Sequence, residues 1–208
     1  MSQACHSPEA VRRGGRWVGA CLLLVLLAGC TTPKAFLGEP ITQVDSSRGY
    51  RLGRVVETRT SPDMLVIVTL SGGGKRASAM AYGLLEQLAA DRLRHDGLER
   101  RLLDEVDVIS AVSGGAIPAT YFVLHGDQLF TDFERGFLNR DVAAGLRRRM
   151  FFDPRNWFRL ASSEFSRGDI YAEYFDQKLF RGATFADLRT ARQGPFLILN
   201  ATDIGNAG

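Results

Sequence analysis

The stretch MLVIVTLSGGGKRASAMAYGLLEQL, residues 64–88, decides the fold class of this chain. Residues 64–70 are apolar or β-branched, which predicts a strand that is buried on both faces. A glycine cluster then ends the strand, and apolar residues recur at helical spacing from Ala77 to about Leu93. The apolar positions of this predicted helix are Ala77, Met80, Ala81, Leu84, Leu85 and Leu88. A buried strand that passes through a short turn into a helix is the unit from which parallel α/β sheets are built.

The same pattern returns further along the chain. Val106 to Ala111 predicts a second strand, Ser113-Gly114-Gly115 a turn, and Ala116 to Leu124 a second helix. Residues 95–101 are predicted to be a polar connection before that strand, and residues 196–200 predict a third strand. We therefore expect an α/β fold with a mostly parallel sheet, in one domain over residues 61–208.

Composition and charge exclude several classes of protein. The chain has 208 residues, of which 45% are hydrophobic and 24% charged, as in ordinary globular proteins. Its net charge is +3, and most of this excess lies in the first 29 residues, so nucleic-acid binding is not expected. All three cysteines lie within the first 30 residues, so the body has neither a disulfide framework nor a cysteine metal site. We expect no metal and no cofactor.

The N-terminal residues are predicted to be a targeting signal. Three arginines at positions 12, 13 and 16 precede an apolar run from Trp17 to Ala28, which is shorter than a membrane span. Residues 27–30, LAGC, resemble the lipobox of bacterial lipoproteins, which implies a signal peptide over 1–29 and a lipidated Cys30. We expect residues 30–60 to be a tether, and the protein to lie at the periplasmic face of the outer membrane in a bacterial envelope. An uncleaved anchor helix or a plain signal peptide is the alternative.

The two glycine-rich turns indicate chemistry with developing negative charge. Both follow the carboxyl end of a predicted strand, where open α/β sheets bind ligands. The N–H groups of Gly72, Gly73 and Gly74 next to a helix N-terminus would hold a phosphate or an oxyanion. Nucleotide binding is disfavoured by spacing. A P-loop needs glycine at position 69, and a dinucleotide fingerprint needs glycine at 77, but these residues are Thr69 and Ala77.

Ser113 is the candidate nucleophile. A serine between small residues at a strand-to-helix turn is typical of a nucleophile elbow, although a helix N-cap serine is the structural alternative. No histidine is well placed to activate it. His6 lies in the signal, and His125 would be ~18 Å away along the same helix. His95 would be ~30 Å from the glycine turn, at the far end of the first helix. This distribution favours a serine–carboxylate dyad, unless the base lies beyond Gly208.

Three segments resemble the patatin-like phospholipase family, in its bacterial lipoprotein-type branch. They are residues 71–77, SGGGKRA; residues 107–115, DVISAVSGG; and residues 200–203, NATD. The resemblance implies a three-layer α/β sandwich and hydrolysis of phospholipids or other acyl esters by a Ser–Asp dyad. It makes Ser113 the nucleophile and Arg76 the basic position of the glycine motif. The oxyanion would be held at Gly72, Gly73, Gly74 and Gly114.

The sequence departs from this family at the dyad aspartate. The family places it in an Asp-Gly-Gly or Asp-Gly-Ala motif after the NATD strand, whereas the one Asp-Gly pair here, Asp96-Gly97, precedes the nucleophile. Asp203 belongs to the strand motif. We therefore expect a chain that is incomplete at its C-terminus, in which the dyad aspartate is missing. The alternatives are an acyltransferase, and a catalytically incomplete lipoprotein that binds lipid or a protein partner.

Several other groups of residues are expected to be structural. The basic and aromatic residues 147–152 and 157–158 are predicted to be a solvated helix end followed by core aromatics; a lid or a membrane-facing surface is the alternative. The aromatic and apolar side chains of residues 171–180 are predicted to be core rather than an acyl pocket. Four further acids are predicted to be surface charges: Asp132, Asp141, Asp169 and Asp176.

Overall fold

A computed structural model describes Gln43, Asp45 and residues 49–53, 61–162, 165–190 and 194–201. The predicted signal peptide, Cys30, most of the predicted tether and Asp203 lie outside the described residues. The chain divides into two compact units. The larger unit comprises the described residues of Ile41–Ala144 and Ala172–Gly208, and the smaller unit those of Gly145–Tyr171.

The elements follow one another in an order that is typical of α/β proteins. They are β1 (Val66–Leu70), α1 (Gly74–Ala90), β2 (Arg92–His95), β3 (Leu98–Arg101), a 3₁₀ turn (Leu102–Glu105), β4 (Val106–Val112), a second 3₁₀ turn (Ser113–Gly115), α2 (Ala116–His125), a π-helical segment (Leu129–Leu138), α3 (Val142–Phe152), α4 (Pro154–Leu160), α5 (Arg167–Phe175), a second π-helical segment (Asp176–Phe180), α6 (Phe185–Thr190) and β5 (Phe196–Asn200). Among the described helices, none combines the length and the apolar character that a bilayer crossing requires.

The sheet of the larger unit is parallel, as predicted. Its order is β1-β4-β5, so β4 lies in the centre. Leu70 pairs with Ala111, which in turn pairs with Leu199, so the carboxyl ends of all three strands lie at the same end of the sheet. The α/β fold expected from the sequence is thus confirmed. The turns after β1 and β4 meet at this end of the sheet.

The two predicted buried strands differ in their burial. Residues 106–109 of β4 are buried without interruption. In β1, Val68 and Leu70 are buried whereas Ile67 and Thr69 are exposed. The prediction that β1 is buried on both faces is therefore wrong, because the described elements cover only one face of this edge strand.

The core of the larger unit lies between α1, α2 and the sheet. Leu85, Ile109 and Ala119 are fully buried, one from each of these elements. The buried face of α1 is formed by Ser78, Ala81, Tyr82 and Leu85, at helical spacing. Met80 and Leu84 were expected on that face but are exposed. The helix is therefore turned so that a serine, rather than a methionine, faces the sheet.

The predicted polar connection at residues 95–101 is a β-hairpin. Strands β2 and β3 are antiparallel and pair His95 with Leu98. The two turn residues, Asp96 and Gly97, have φ of +50° and +76°, which is the requirement of a type I′ turn. An Asp-Gly pair between two strands is a strong hairpin signal, so the hairpin could have been predicted from residues 96 and 97. His95 consequently ends a strand, so its expected place at a helix end is wrong.

Candidate active site

Ser113 occupies a sharp turn between the central strand and α2. It directly follows β4, its φ is +50°, and it is exposed. A left-handed conformation costs a residue with a Cβ ~1 kcal/mol or more, so the surrounding packing has to hold it. The N-cap of α2 is Gly115, with no side-chain capping hydrogen bond, so Ser113 does not serve as the helix cap. This geometry is that of a nucleophile elbow.

The glycine loop after β1 packs directly against this turn. A Cβ at Gly72 would lie 3.0 Å from the Cβ of Ser113. A Cβ at Gly114 would overlap the carbonyl oxygen of Gly74, and one at Gly115 would lie 2.6 Å from the oxygen of Ser71. Glycine is therefore required at 114 and 115, because the backbone of the loop after β1 occupies the positions that a Cβ would take.

Ser78 joins the two turns, although it was not among the predicted site residues. Its hydroxyl is fully buried and donates a 2.6 Å hydrogen bond to the carbonyl oxygen of Gly114. The same hydroxyl lies 3.4 Å from the carbonyl oxygen of Gly74, one turn earlier in α1. A serine at an otherwise apolar helix position, four residues after the last loop glycine, is the signal that could have identified it.

The backbone around Ser113 suits negative charge. Gly73 and Gly74 have φ of +133° and +66°, and Gly74 begins α1. Both α1 and α2 begin beside Ser113 and lack acidic residues in their first turns. Helix N-termini carry partial positive charge and unpaired N–H groups. Arg76 is exposed, and the Lys75 ammonium donates to the carbonyl oxygen of Arg140, so neither is described against Ser113.

No hydrogen bond within the described residues joins a carboxylate to the Ser113 hydroxyl. The buried Asp107 accepts a 2.9 Å hydrogen bond from the Val66 backbone at the start of β4, where its role is structural. His125 ends α2 as predicted, packs against Tyr121, and has a pKa lowered by burial. The described residues therefore show no base hydrogen-bonded to Ser113.

One group of described residues has the composition of a metal site. Asp63, His95 and Asp96 offer ligand atoms within 4.8 Å of one another, at the β-hairpin. Both aspartates are exposed, and the His95 Nε2 lies 3.4 Å from an Asp96 carboxylate oxygen. Exposed acidic groups commonly cluster without binding an ion, so we assign no metal or cofactor here.

A cavity of about 390 Å³ lies in the larger unit, along one face of α2. Ala116, Ile117, Thr120 and Leu124 form that face, which begins three residues after Ser113. The remaining lining residues are Ala172, Phe175, Asp176, Phe180, Ala183, Thr184, Phe185, Leu188 and Leu199. Most of the wall is apolar, which suits a hydrocarbon chain.

The aromatic residues of 171–180 divide between core and cavity. Tyr174 and Leu179 are buried, as predicted. Phe175 and Phe180 are half-buried and line the cavity, and Tyr171 is exposed. The expectation that all of them are core is therefore wrong. Of the four predicted surface acids, Asp132, Asp141 and Asp169 are exposed, whereas Asp176 lines the cavity and accepts from the Gly182 backbone.

The fold and the turn define an α/β protein with an exposed serine at a strained strand-to-helix turn. Comparison with protein families narrows this class: residues 68–207 match the model described as patatin-like phospholipase. The chain belongs to the patatin-like phospholipase family, which is a family of lipid acyl hydrolases with lipid substrates. No curated protein and no solved structure matches the chain.

Proposed function

We propose that this protein hydrolyses acyl esters of lipids, with Ser113 as the nucleophile. The observation that carries the proposal is the exposed Ser113 at φ +50°, packed against the glycine loop of β1. A packed turn that holds a serine in an unfavourable conformation and presents it to solvent supports a catalytic role. Membership of a lipid acyl hydrolase family supports the substrate class.

The proposed reaction proceeds through an acyl-enzyme. The Ser113 oxygen attacks the ester carbonyl carbon while its proton passes to a general base. The backbone N–H groups of Gly73, Gly74 and Gly114 stabilise the oxyanion, with Gly72 shaping the loop. The tetrahedral intermediate collapses, and the departing alcohol takes the proton. Water then attacks the acyl-enzyme carbonyl carbon while the base takes its proton. The bond to the Ser113 oxygen breaks, that oxygen takes the proton from the base, and a free fatty acid is released.

The general base in this proposal is an aspartate of a Ser–Asp dyad. In the family that the chain resembles, this aspartate belongs to an Asp-Gly-Gly or Asp-Gly-Ala motif, which this sequence does not contain. Sequencing of the full-length transcript tests this base, since an in-frame motif of this kind is expected; a full reading frame without one would refute the dyad.

The cavity along α2 is proposed to hold the acyl chain. Its helix face begins beside Ser113, and its wall is mostly apolar. Thr120 lies midway along that face, so Thr120→Phe should block long chains and spare short ones. We expect at least a tenfold loss of hydrolysis of a sixteen-carbon ester, with less than a twofold change for a four-carbon ester.

The matched control for this substitution is Thr131→Phe, at an exposed position outside the cavity. It should leave both rates unchanged. Equal losses on the two esters in Thr120→Phe would mean that the helix was damaged rather than that the cavity was filled. Unchanged rates on both esters would remove the cavity from the acyl site.

The test of the nucleophile uses the protein expressed from its native reading frame. Ser113→Ala should abolish labelling by a fluorophosphonate probe and reduce ester hydrolysis to background. Ser162→Ala, at an exposed serine of the smaller unit, is the control and should label normally. Retained labelling of Ser113→Ala would refute the assignment.

A non-enzymatic lipoprotein is the second candidate, because no described carboxylate contacts Ser113. It predicts no labelling of the wild-type chain and saturable binding of a fatty acid. Attachment at Cys30 in the bacterial envelope is proposed under either candidate. Metabolic labelling with palmitate should mark the wild type and not Cys30→Ala; equal labelling would refute the anchor.

A further inference from the structure

The smaller unit exposes aromatic side chains that were predicted to lie in the core. Phe152 and Phe158 are 79% and 81% exposed, and Phe151 and Trp157 are also more than half exposed. The expectation of core aromatics is therefore wrong for these four residues. Solvent-exposed aromatic residues that lie close together in the chain mark an interaction surface.

Arginines lie on the same two helices. Arg147 and Arg148 precede Phe151 and Phe152 by four residues each, so the four side chains share one face of α3. Arg155 and Arg159 are exposed on α4, with Trp157 and Phe158 between them. We call the side chains of residues 147–159 the basic-aromatic corner.

The basic-aromatic corner carries a strong excess of positive charge. Five of its residues are arginines, and Asp153 is its one acidic residue. The Asp153 carboxylate is engaged at the start of α4, where it accepts a 3.0 Å hydrogen bond from the Arg155 backbone. A partner of complementary charge is therefore anionic.

The corner is a built structure rather than a frayed helix end. Asn156 is buried and donates a 3.0 Å hydrogen bond to the carbonyl oxygen of Arg149. The Trp157 indole N–H donates a 3.2 Å bond to the oxygen of Met150. These bonds hold α4 against the end of α3, so the aromatic rings are presented by a fixed backbone.

We propose that the basic-aromatic corner docks on the surface of an anionic phospholipid bilayer. Aromatic rings are favoured at the boundary between headgroups and acyl chains, and arginine binds phosphate with paired hydrogen bonds. Long arginine side chains also keep their charge among the headgroups while their stems contact apolar surface. None of the residues in this contact takes part in the chemistry proposed at Ser113 or lines the acyl cavity.

The experiment measures vesicle binding without catalysis or lipid attachment. The whole chain carries Ser113→Ala and Cys30→Ala and is cosedimented with phosphatidylcholine vesicles, with or without phosphatidylglycerol. We expect stronger binding to the phosphatidylglycerol vesicles, weakened by salt. Phe152→Ser/Phe158→Ser and Arg147→Gln/Arg148→Gln should each lower the binding constant at least tenfold.

The matched control removes the same charge elsewhere. Arg92→Gln/Arg94→Gln lies on exposed positions of β2 and should leave binding unchanged. Equal weakening by the two arginine pairs would mean that net charge alone matters, and would overturn the proposal. Binding that ignores phosphatidylglycerol would overturn it as well, and would leave a protein partner as the occupant of the corner.

The fluorescence of Trp157 measures how deeply the basic-aromatic corner inserts into the bilayer. The chain has two tryptophans, so Trp17→Phe leaves Trp157 as the single one. Brominated acyl chains should quench its fluorescence in phosphatidylglycerol vesicles, and much less so in the Phe152→Ser/Phe158→Ser variant. Absence of quenching in bound wild-type protein would refute insertion of the corner. Because no turnover is measured, failure here is distinguishable from failure of the Ser113 assignment.

Discussion

Ser113 and Asp96 have the same φ, +50°, in two turns of the larger unit. The turn at Asp96 joins β2 to β3, and its partner Gly97 has nothing within 4 Å of the position that a Cβ would occupy. The turn at Ser113 is crowded: Gly114 and Gly115 each face the backbone of the loop after β1. The hairpin turn thus needs its glycine for conformation, whereas the turn at Ser113 needs its glycines for space.

The difference between the two turns supports the proposed role of Ser113. Local residue preference is sufficient to form the Asp96-Gly97 turn, because Asp and Gly adopt positive φ readily. Ser113 has no such preference and is held by contacts with a loop about 40 residues earlier in the chain. A strained residue that distant packing fixes in an exposed place supports the proposed catalytic role of this turn.

The largest expected difference between the turns comes from adding one methyl group to each. Gly114→Ala places a Cβ where the Gly74 backbone lies, so the loop must move away from Ser113. Loss of one oxyanion donor costs ~10²–10³-fold in rate, and we expect kcat/KM on a short soluble ester to fall by at least this factor. Gly83→Ala, in open space on α1, is the control and should keep full activity. Activity retained by Gly114→Ala would show that the contact between the two turns does not serve catalysis.

A smaller effect is expected at the serine that joins the turns. Ser78→Ala leaves the carbonyl oxygen of Gly114 without its buried donor, which costs ~1–3 kcal/mol of unfolding free energy. We also expect kcat/KM to fall several-fold, because Gly114 is no longer fixed. Chemical denaturation and ester hydrolysis measure the two losses. A loss of stability with unchanged kcat/KM would make Ser78 purely structural.

The fold could largely be predicted from hydrophobic pattern alone. Residues 196–200 form a strand with the predicted bounds, and β4 and α2 extend only one residue beyond theirs. The face of α1 could not be predicted, because a small buried serine contributes nothing to a hydrophobic pattern whereas the exposed Met80 does. The hairpin was missed although its Asp-Gly signal was in the sequence.

Only the parts of the candidate site that lie within short sequence motifs could be predicted. Ser113 and the glycines at 72–74 follow from short motifs at strand ends. The contact of Gly114 with Gly74, and the hydrogen bond from Ser78, join residues about 36 to 40 positions apart. Such contacts depend on how β1 and β4 pair, so no single motif carries them. The exposure of the basic-aromatic corner could not be predicted for a different reason. Aromatic residues usually lie inside a protein, and the sequence of residues 147–159 does not mark them as an exception.

The smallest effect should be found at the hairpin. Gly97→Ala forces a Cβ into a left-handed turn at φ +76°, which costs ~1–2 kcal/mol. No backbone clash is added, because the space around Gly97 is open. We therefore expect a lower midpoint of denaturation and an unchanged kcat/KM, the reverse of the balance at Gly114. Hydrolysis that fell in parallel with stability would mean that the hairpin and the turn at Ser113 are coupled, and the distinction between the two turns would no longer hold.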